Sequence, residues 1–227
     1  MVASCLEQID QLIEEHSILQ HPFYQAWCAG ELHRSELAVY AWAYYPHVQA
    51  FPHYILNALE KTQDPFLREL LQENYDEEMG EGDPAAAHPE LWLQLAVGLG
   101  VSREEVLTAQ PVPEVQEAIQ TFSNLCALSP SEALAALYTY EKQQPLASAC
   151  KIKSLNDYYQ IHDEQTLRYF VVHESADVKH SEEVREALGY CLEQGASVHT
   201  MLNSAQAALD AQWMLLDGIC HQAGLFC

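Results

Sequence analysis

The chain has 227 residues, 49% of them hydrophobic, with ten basic residues against 33 acidic ones and a formal charge of −23. That length and apolar content suit one packed domain over 1–227, and no repeat or long Gly/Ser/Pro linker divides it. So negative a surface repels nucleic acid and anionic lipid, which excludes those partners.

Taken in chain order, the signals are helical. Ser4-x-x-Glu7 reads as a capping box ahead of Leu6, Ile9, Leu12 and Ile13 on one face. This N-terminus carries acids where an export signal needs a basic start and an apolar core. No segment reaches the ~18 consecutive apolar residues of a membrane span, so a cytoplasmic protein is expected. Ser35 to Lys61 is apolar-rich and interrupted by Pro46 and Pro52, which predicts a kinked or broken helix. Asp64-Pro65 opens the next helix, which stops near Gly80 in the loop GEGDPAAA. His88 to Leu99 follows, then Ser102-x-x-Glu105 as a second capping box, Glu114 to Ala127, and Pro130 to Gln144. The longest pattern runs from Asp163 to Gln194 and ends at Gly195; a last one covers Val198 to Gln222. Nothing alternates as a strand does. The expected class is all-α, with seven to eight helices.

The seven cysteines, Cys5, Cys28, Cys126, Cys150, Cys191, Cys220 and Cys227, are scattered and never form CxxC. That spacing predicts free thiols in a reducing compartment rather than a disulfide framework or zinc finger, and none has an evident activating histidine partner.

The chemistry concentrates in FVVHESADVKHSEEV. His173, Asp177 and His180 stand at i, i+4 and i+7, within an arc of roughly 60° on a helix. Val172, Ala176 and Val184 share that side, so two imidazoles and a carboxylate converge on a face that is not plainly solvated. A metal ion is the natural partner, and further ligands must come from other helices. Glu77 continues the face of Leu67, Leu70 and Asn74; His88 shares one with Leu91, Trp92 and Leu95; Glu141 follows Leu134, Leu137 and Tyr138. Each also admits a structural role: Glu77 as a helix end in an acidic run, His88 as a cap before Pro89, Glu141 as the partner of Lys142 or Lys151. Three histidines and three carboxylates together suffice for two ions, and a set without thiolate favours iron or manganese. The paired Glu-x-x-His motifs of ferritin-like bundles are absent.

At these residues the chain resembles the haem-oxygenase-like di-metal oxidases, and within them the CADD-like proteins tied to p-aminobenzoate and folate synthesis. TenA and pyrroloquinoline-quinone synthases are relatives. The blocks HPFYQAWCAGEL, AYYPHVQAFPHY, ENYDEEMG…HPELW, ALYTYEKQQP and HESADVKHSEE occur in the family's order and span nearly the whole chain. The resemblance implies a helical bundle around two metal ions, iron and/or manganese, held by Glu77, His88, Glu141, His173, Asp177 and His180. Glu81 rivals Glu77 but lies in a loop that is longer here than in other members. It also implies O₂ and an external reductant, and a tyrosine of the protein itself as the aromatic precursor. That tyrosine falls on Tyr24 and the amino-donating lysine on Lys151; Tyr40, Tyr140 and Tyr169 match further family tyrosines that line the pocket or relay electrons. By residue type alone, Tyr24 is a core aromatic and Lys151 a surface lysine. A homodimer is a further expectation.

Rival readings remain. A TenA-type thiaminase needs a cysteine where this chain has Ala135. Relatives with the same ligands oxidise free amino acids or fatty acids. His162-Asp163 invites a phosphohydrolase reading but lacks partners, and a helical adaptor would need no inward ligands.

Overall fold

The computed structural model describes residues 2–227. Twelve α-helices and one 3₁₀ turn make up the described residues, with no strand among them. In order they are α1 (Val2–Glu15), the turn Ile18–Gln20, α2 (Pro22–Ala29), α3 (Arg34–Ala43), α4 (Tyr45–Lys61), α5 (Pro65–Glu78) and α6 (His88–Gly98). Then come α7 (Arg103–Thr108), α8 (Pro113–Cys126), α9 (Pro130–Glu141), α10 (Gln144–Asp157), α11 (Glu164–Glu193) and α12 (Val198–Gln222). The all-α class stands; the expected seven to eight helices is corrected to twelve. The excess comes from short or broken helices. α3 and α4 part at Tyr44, ahead of Pro46, whereas Pro52 lies inside α4 without ending it. α2 and α10 are extra elements, α7 is the short helix that the Ser102–Glu105 capping box opens, and the pattern read as one helix to Gln144 ends at Glu141, before α10 restarts at Gln144 with Pro145 in its first turn. Ser4 is another correction, since α1 already begins at Val2.

α12 packs along α8 and α9, while α11 packs along α10, α6 and α9, and α4 bridges α8 and α5. One contiguous apolar core results. α2 is placed with particular care. His21 caps it by accepting from the Phe23 amide at 3.1 Å, and its other ring nitrogen bonds Asp217 on α12 at 3.1 Å. Gly30 ends it at φ +72°, and the Tyr158 ring lies where a Cβ would stand. Phe23, Tyr24 and Trp27 are thereby buried. α11, capped by Asp163, carries His173, Asp177 and His180 into the core, all three buried.

Two cysteine pairs correct the expectation of free thiols. Cys28 is bonded to Cys150 with Cα atoms 5.8 Å apart, and Cys220 to Cys227 with Cα atoms 6.2 Å apart. The 122-residue separation of the first pair leaves no spacing signal in the sequence. Cys5, Cys126 and Cys191 are free and buried.

Candidate metal centre and tyrosine–lysine pocket

Four helices meet around a cluster of histidines and carboxylates. The last turn of α5 supplies Glu78, the start of α6 His88, the end of α9 Glu141, and the middle of α11 His173, Asp177 and His180. Glu78, His88 and His173 each offer one ligand atom, all within 4.8 Å of one another. His88 Nδ1 lies 2.8 Å from Glu78 Oε2 yet makes no hydrogen bond. The two atoms are close without being aligned, as two donors aimed at a common third point would be. His173 Nδ1 donates to the Tyr169 carbonyl at 2.6 Å, which leaves Nε2 as its lone-pair nitrogen.

Glu141 Oε1 accepts from Asn74 Nδ2 at 2.7 Å, but Oε2 has no partner; Asp177 Oδ2 has none either. Asp177 Oδ1 stands 3.5 Å from His180 Nδ1. Orphaned carboxylate oxygens this deep cost about 1–3 kcal/mol each or more when charged, and a cation removes that penalty. With protons as the only counter-charge, burial pushes the Glu141 carboxyl up to about 8. Burial alone would lower His180, but the Asp177 hydrogen bond and the charges of Glu141 and Glu77 push it up to about 9. Orphaned oxygens, a misaligned imidazole–carboxylate contact and a nitrogen–oxygen donor set fit divalent iron or manganese.

Glu77 lies elsewhere from its neighbour. Half-buried at the rim, it accepts from His180 Nε2 at 2.6 Å and lies 3.7 Å from Lys179 Nζ. Glu78, which the sequence does not single out, faces His88. One helical step turns a side chain by ~100°, so the DEEMG run leaves the choice undetermined without the neighbours. Glu81 is exposed with φ +50°. His162 is exposed and bonded to Asn156 at 2.7 Å, and Asp163 caps α11, so that dipeptide is a helix start. Ala135 is buried in α9, and burial raises the Cys126 thiol.

The second group of residues lies where α2, α3 and α10 meet. Lys151 is only 3% exposed and faces no carboxylate within ion-pair distance. Its Nζ donates to Tyr24 Oη at 3.0 Å and to Tyr40 Oη at 3.1 Å, and the two phenols are 2.9 Å apart. The same nitrogen stands 4.4 Å from the Tyr24 ring centroid. Burial lowers the amine to about 7 and raises both phenols well above 10. Near neutral pH the pocket therefore holds protonated phenols beside an amine with a substantial neutral, nucleophilic fraction. Reading Lys151 by residue type as a surface lysine is corrected by this burial.

Aromatic side chains join the two groups. The Tyr24 and Tyr40 rings are 6.1 Å apart, Tyr40 and Tyr44 5.0 Å, and the Tyr44 and Tyr140 hydroxyls 3.2 Å. Tyr140 lies beside Tyr169, whose ring is 4.1 Å from that of His173. Trp92 stacks on Tyr44 at 5.0 Å and meets Tyr169 edge-on at 4.7 Å. Tyr44 and Trp92, like Asn74, are residues the sequence reading names for no role in this link; only the packing reveals them.

Such a helical fold with a buried histidine–carboxylate cluster defines a class: residues 38–213 match the iron-containing redox enzyme family, and the chain belongs to this haem-oxygenase-like family. Within it the chain is similar to the 4-aminobenzoate synthase of Chlamydia pneumoniae, 36% identical over 217 residues that cover 95% of this chain and 94% of that protein. It is 34% identical over 235 residues to the 4-aminobenzoate synthase of Nitrosomonas europaea, covering 97% and 94%. In fold it is similar to a TenA homolog from Pseudomonas syringae, with TM-score 0.81 and 18% identity over 95% of this chain and 92% of that one. The family reached from the sequence blocks is the one these comparisons return. Among the described residues, no helix is long and apolar enough to cross a membrane.

Proposed function

We propose that the protein forms p-aminobenzoate for folate synthesis from its own Tyr24, using O₂, an external reductant and two metal ions, iron and/or manganese. The observation that carries this reading is Lys151 Nζ, 3.0 Å from the Tyr24 hydroxyl in a buried pocket. In tyrosine the hydroxyl is para to Cβ, and in p-aminobenzoate the amine is para to the carboxyl. An amine held at the phenolic end is therefore where the product's nitrogen belongs.

The residues divide the work. Glu78, His88, Glu141, His173, Asp177 and His180 would hold the ions, with Glu77 orienting His180 from the rim. Bound there, the ions supply the activation of O₂ that a phenol oxidation requires. Lys151 orients the Tyr24 ring and offers its lone pair, and Tyr40 fixes that amine from a second side. Phe23, Trp27 and Phe170 pack around the pocket and exclude water. Tyr44, Tyr140, Tyr169 and Trp92 bridge it to the ligands.

A related reading is oxidation of a free small molecule at the same ligands, beside which a cleft of about 340 Å³ is lined by Glu77, His88, Leu91 and Arg168. The cavity that Tyr24 lines together with Tyr44, His47 and Gln212 measures about 10 Å³. That is roughly one water, too small for a second aromatic ring. Beside Lys151, the ring in place to react is therefore the one built into the chain, which favours Tyr24 as the precursor. The test is to load purified protein with Fe(II), Mn(II) or both, add reductant and O₂ without any aromatic compound, and assay p-aminobenzoate by mass spectrometry. Wild type should form it and Tyr24→Phe should not; equal product from both would refute the reading.

A further inference from the structure

Tyr24 and Lys151 sit on different helices, and those helices are covalently joined beside the pocket. Cys28 follows Tyr24 by one turn on α2, and Cys150 immediately precedes Lys151 on α10. Their Cα separation of 5.8 Å is typical of a disulfide. Both residues are half-buried, whereas Cys5, Cys126 and Cys191 are buried. A small thiol or disulfide can reach the first pair and is shut out from the others. Otherwise a side-chain hydrogen bond, Ser154 Oγ to the Trp27 carbonyl at 2.6 Å, ties the two helices at this end.

We propose that Cys28 and Cys150 are a reversible redox modification site, a clamp that fixes the helix of Tyr24 against the helix of Lys151. Its regulatory consequence rests on the proposed function; its existence as an exchangeable disulfide does not. Closure is thiol–disulfide exchange with a glutathione-type disulfide. One cysteine thiolate attacks oxidised glutathione, forms a mixed disulfide and releases a glutathione thiol. The second thiolate displaces the other glutathione, so the protein's two thiols give up two electrons and two protons and two glutathione thiols result. Opening is the reverse and consumes two glutathione thiols. Closed, the clamp holds Lys151 Nζ against Tyr24 Oη; open, α2 and α10 separate more readily and water reaches the amine.

The test uses the full-length, metal-loaded protein equilibrated in glutathione buffers of varied reduced-to-oxidised ratio. Acid quenching and alkylation precede peptide mass spectrometry, and amide hydrogen exchange is measured at the two extremes. The expected results are a linked Cys28–Cys150 peptide that disappears toward reducing buffers, and exchange in 22–29 and 144–157 at least tenfold faster when it is lost, with 65–78 unchanged. Cys28→Ser and, independently, Cys150→Ser should show the fast exchange in every buffer, whereas Cys220→Ser should keep the dependence on glutathione. A linked peptide at no ratio, or one that persists in fully reduced glutathione, overturns the proposal. So does identical exchange in the two buffers. These readouts do not involve p-aminobenzoate. A clamp that behaves as expected in a protein that never forms product therefore refutes the proposed function while supporting the clamp.

Discussion

Lys151→Met replaces the buried amine with an apolar side chain of similar length, and its effect on stability can be worked from the structure. Burial moves the amine from 10.5 to about 7. Below the folded value both folded and unfolded chains hold the proton, so Lys151 adds no pH dependence there. Between about 7 and 10.5 the unfolded chain keeps a proton that the folded protein has released, so stability rises with pH. At 1.36 kcal/mol per unit, with the folded amine still half-protonated at pH 7, wild type should gain about 2 kcal/mol between pH 7 and pH 9 that the variant does not. At pH 6 the full penalty of burying the ammonium is roughly 5 kcal/mol. The bonds to Tyr24 and Tyr40 return about 1 kcal/mol each. Lys151→Met should therefore be about 3 kcal/mol more stable than wild type at pH 6, and the gap should close and then reverse as pH rises. Urea unfolding of both proteins across this range gives the difference directly, and contributions from all other groups cancel in it. Parallel stability profiles would show that Lys151 is not a neutralised buried amine, and its role as nitrogen donor would lose its physical basis. As nitrogen donor, Lys151 is also required for product, so the variant should form no p-aminobenzoate at any pH.

Other outcomes follow from the same geometry. Asp177→Ala and Glu78→Ala should each lose most bound metal by elemental analysis, while Glu77→Ala should weaken binding by about 10–100-fold as an orienting partner does; stronger loss at Glu77 than at Glu78 would reverse their assignment. Tyr24→Phe removes hydrogen bonds to Lys151 and Tyr40 and should lower stability by about 1–2 kcal/mol, with metal content unchanged and product absent. Cys126→Ala should leave product formation intact, because burial keeps this thiol protonated and unreactive; loss of product without loss of fold would contradict that.

The sequence carried the helical class and the inward face of α11 because both are periodic. Three residues at i, i+4 and i+7 declare a common direction whatever surrounds them. The choice between Glu77 and Glu78 was not legible, since either can end an amphipathic helix and only the position of His88 across the loop selects one. Lys151 was equally opaque. Its neighbours Ile152 and Lys153 form no stripe, and its burial arises from α2 and α3, more than a hundred residues away in the chain. The Cys28–Cys150 bond and the Tyr44–Trp92 stack are likewise products of tertiary packing, which leaves no local pattern. α7, under two turns long, showed only its Ser102 capping box, and α10 escaped despite its fourteen residues because its buried positions are mostly small or polar (Ala147, Ser148, Lys151, Ser154) and form no apolar stripe.

The most direct measurement follows the ring of Tyr24. Protein expressed with ring-labelled tyrosine is moved to unlabelled buffer, loaded with metal, and given reductant and O₂. Tyr24 as precursor predicts p-aminobenzoate carrying the full ring label, together with a matching mass loss confined to the peptide that contains Tyr24. Unlabelled p-aminobenzoate, or labelled product with Tyr24 intact, would contradict the account.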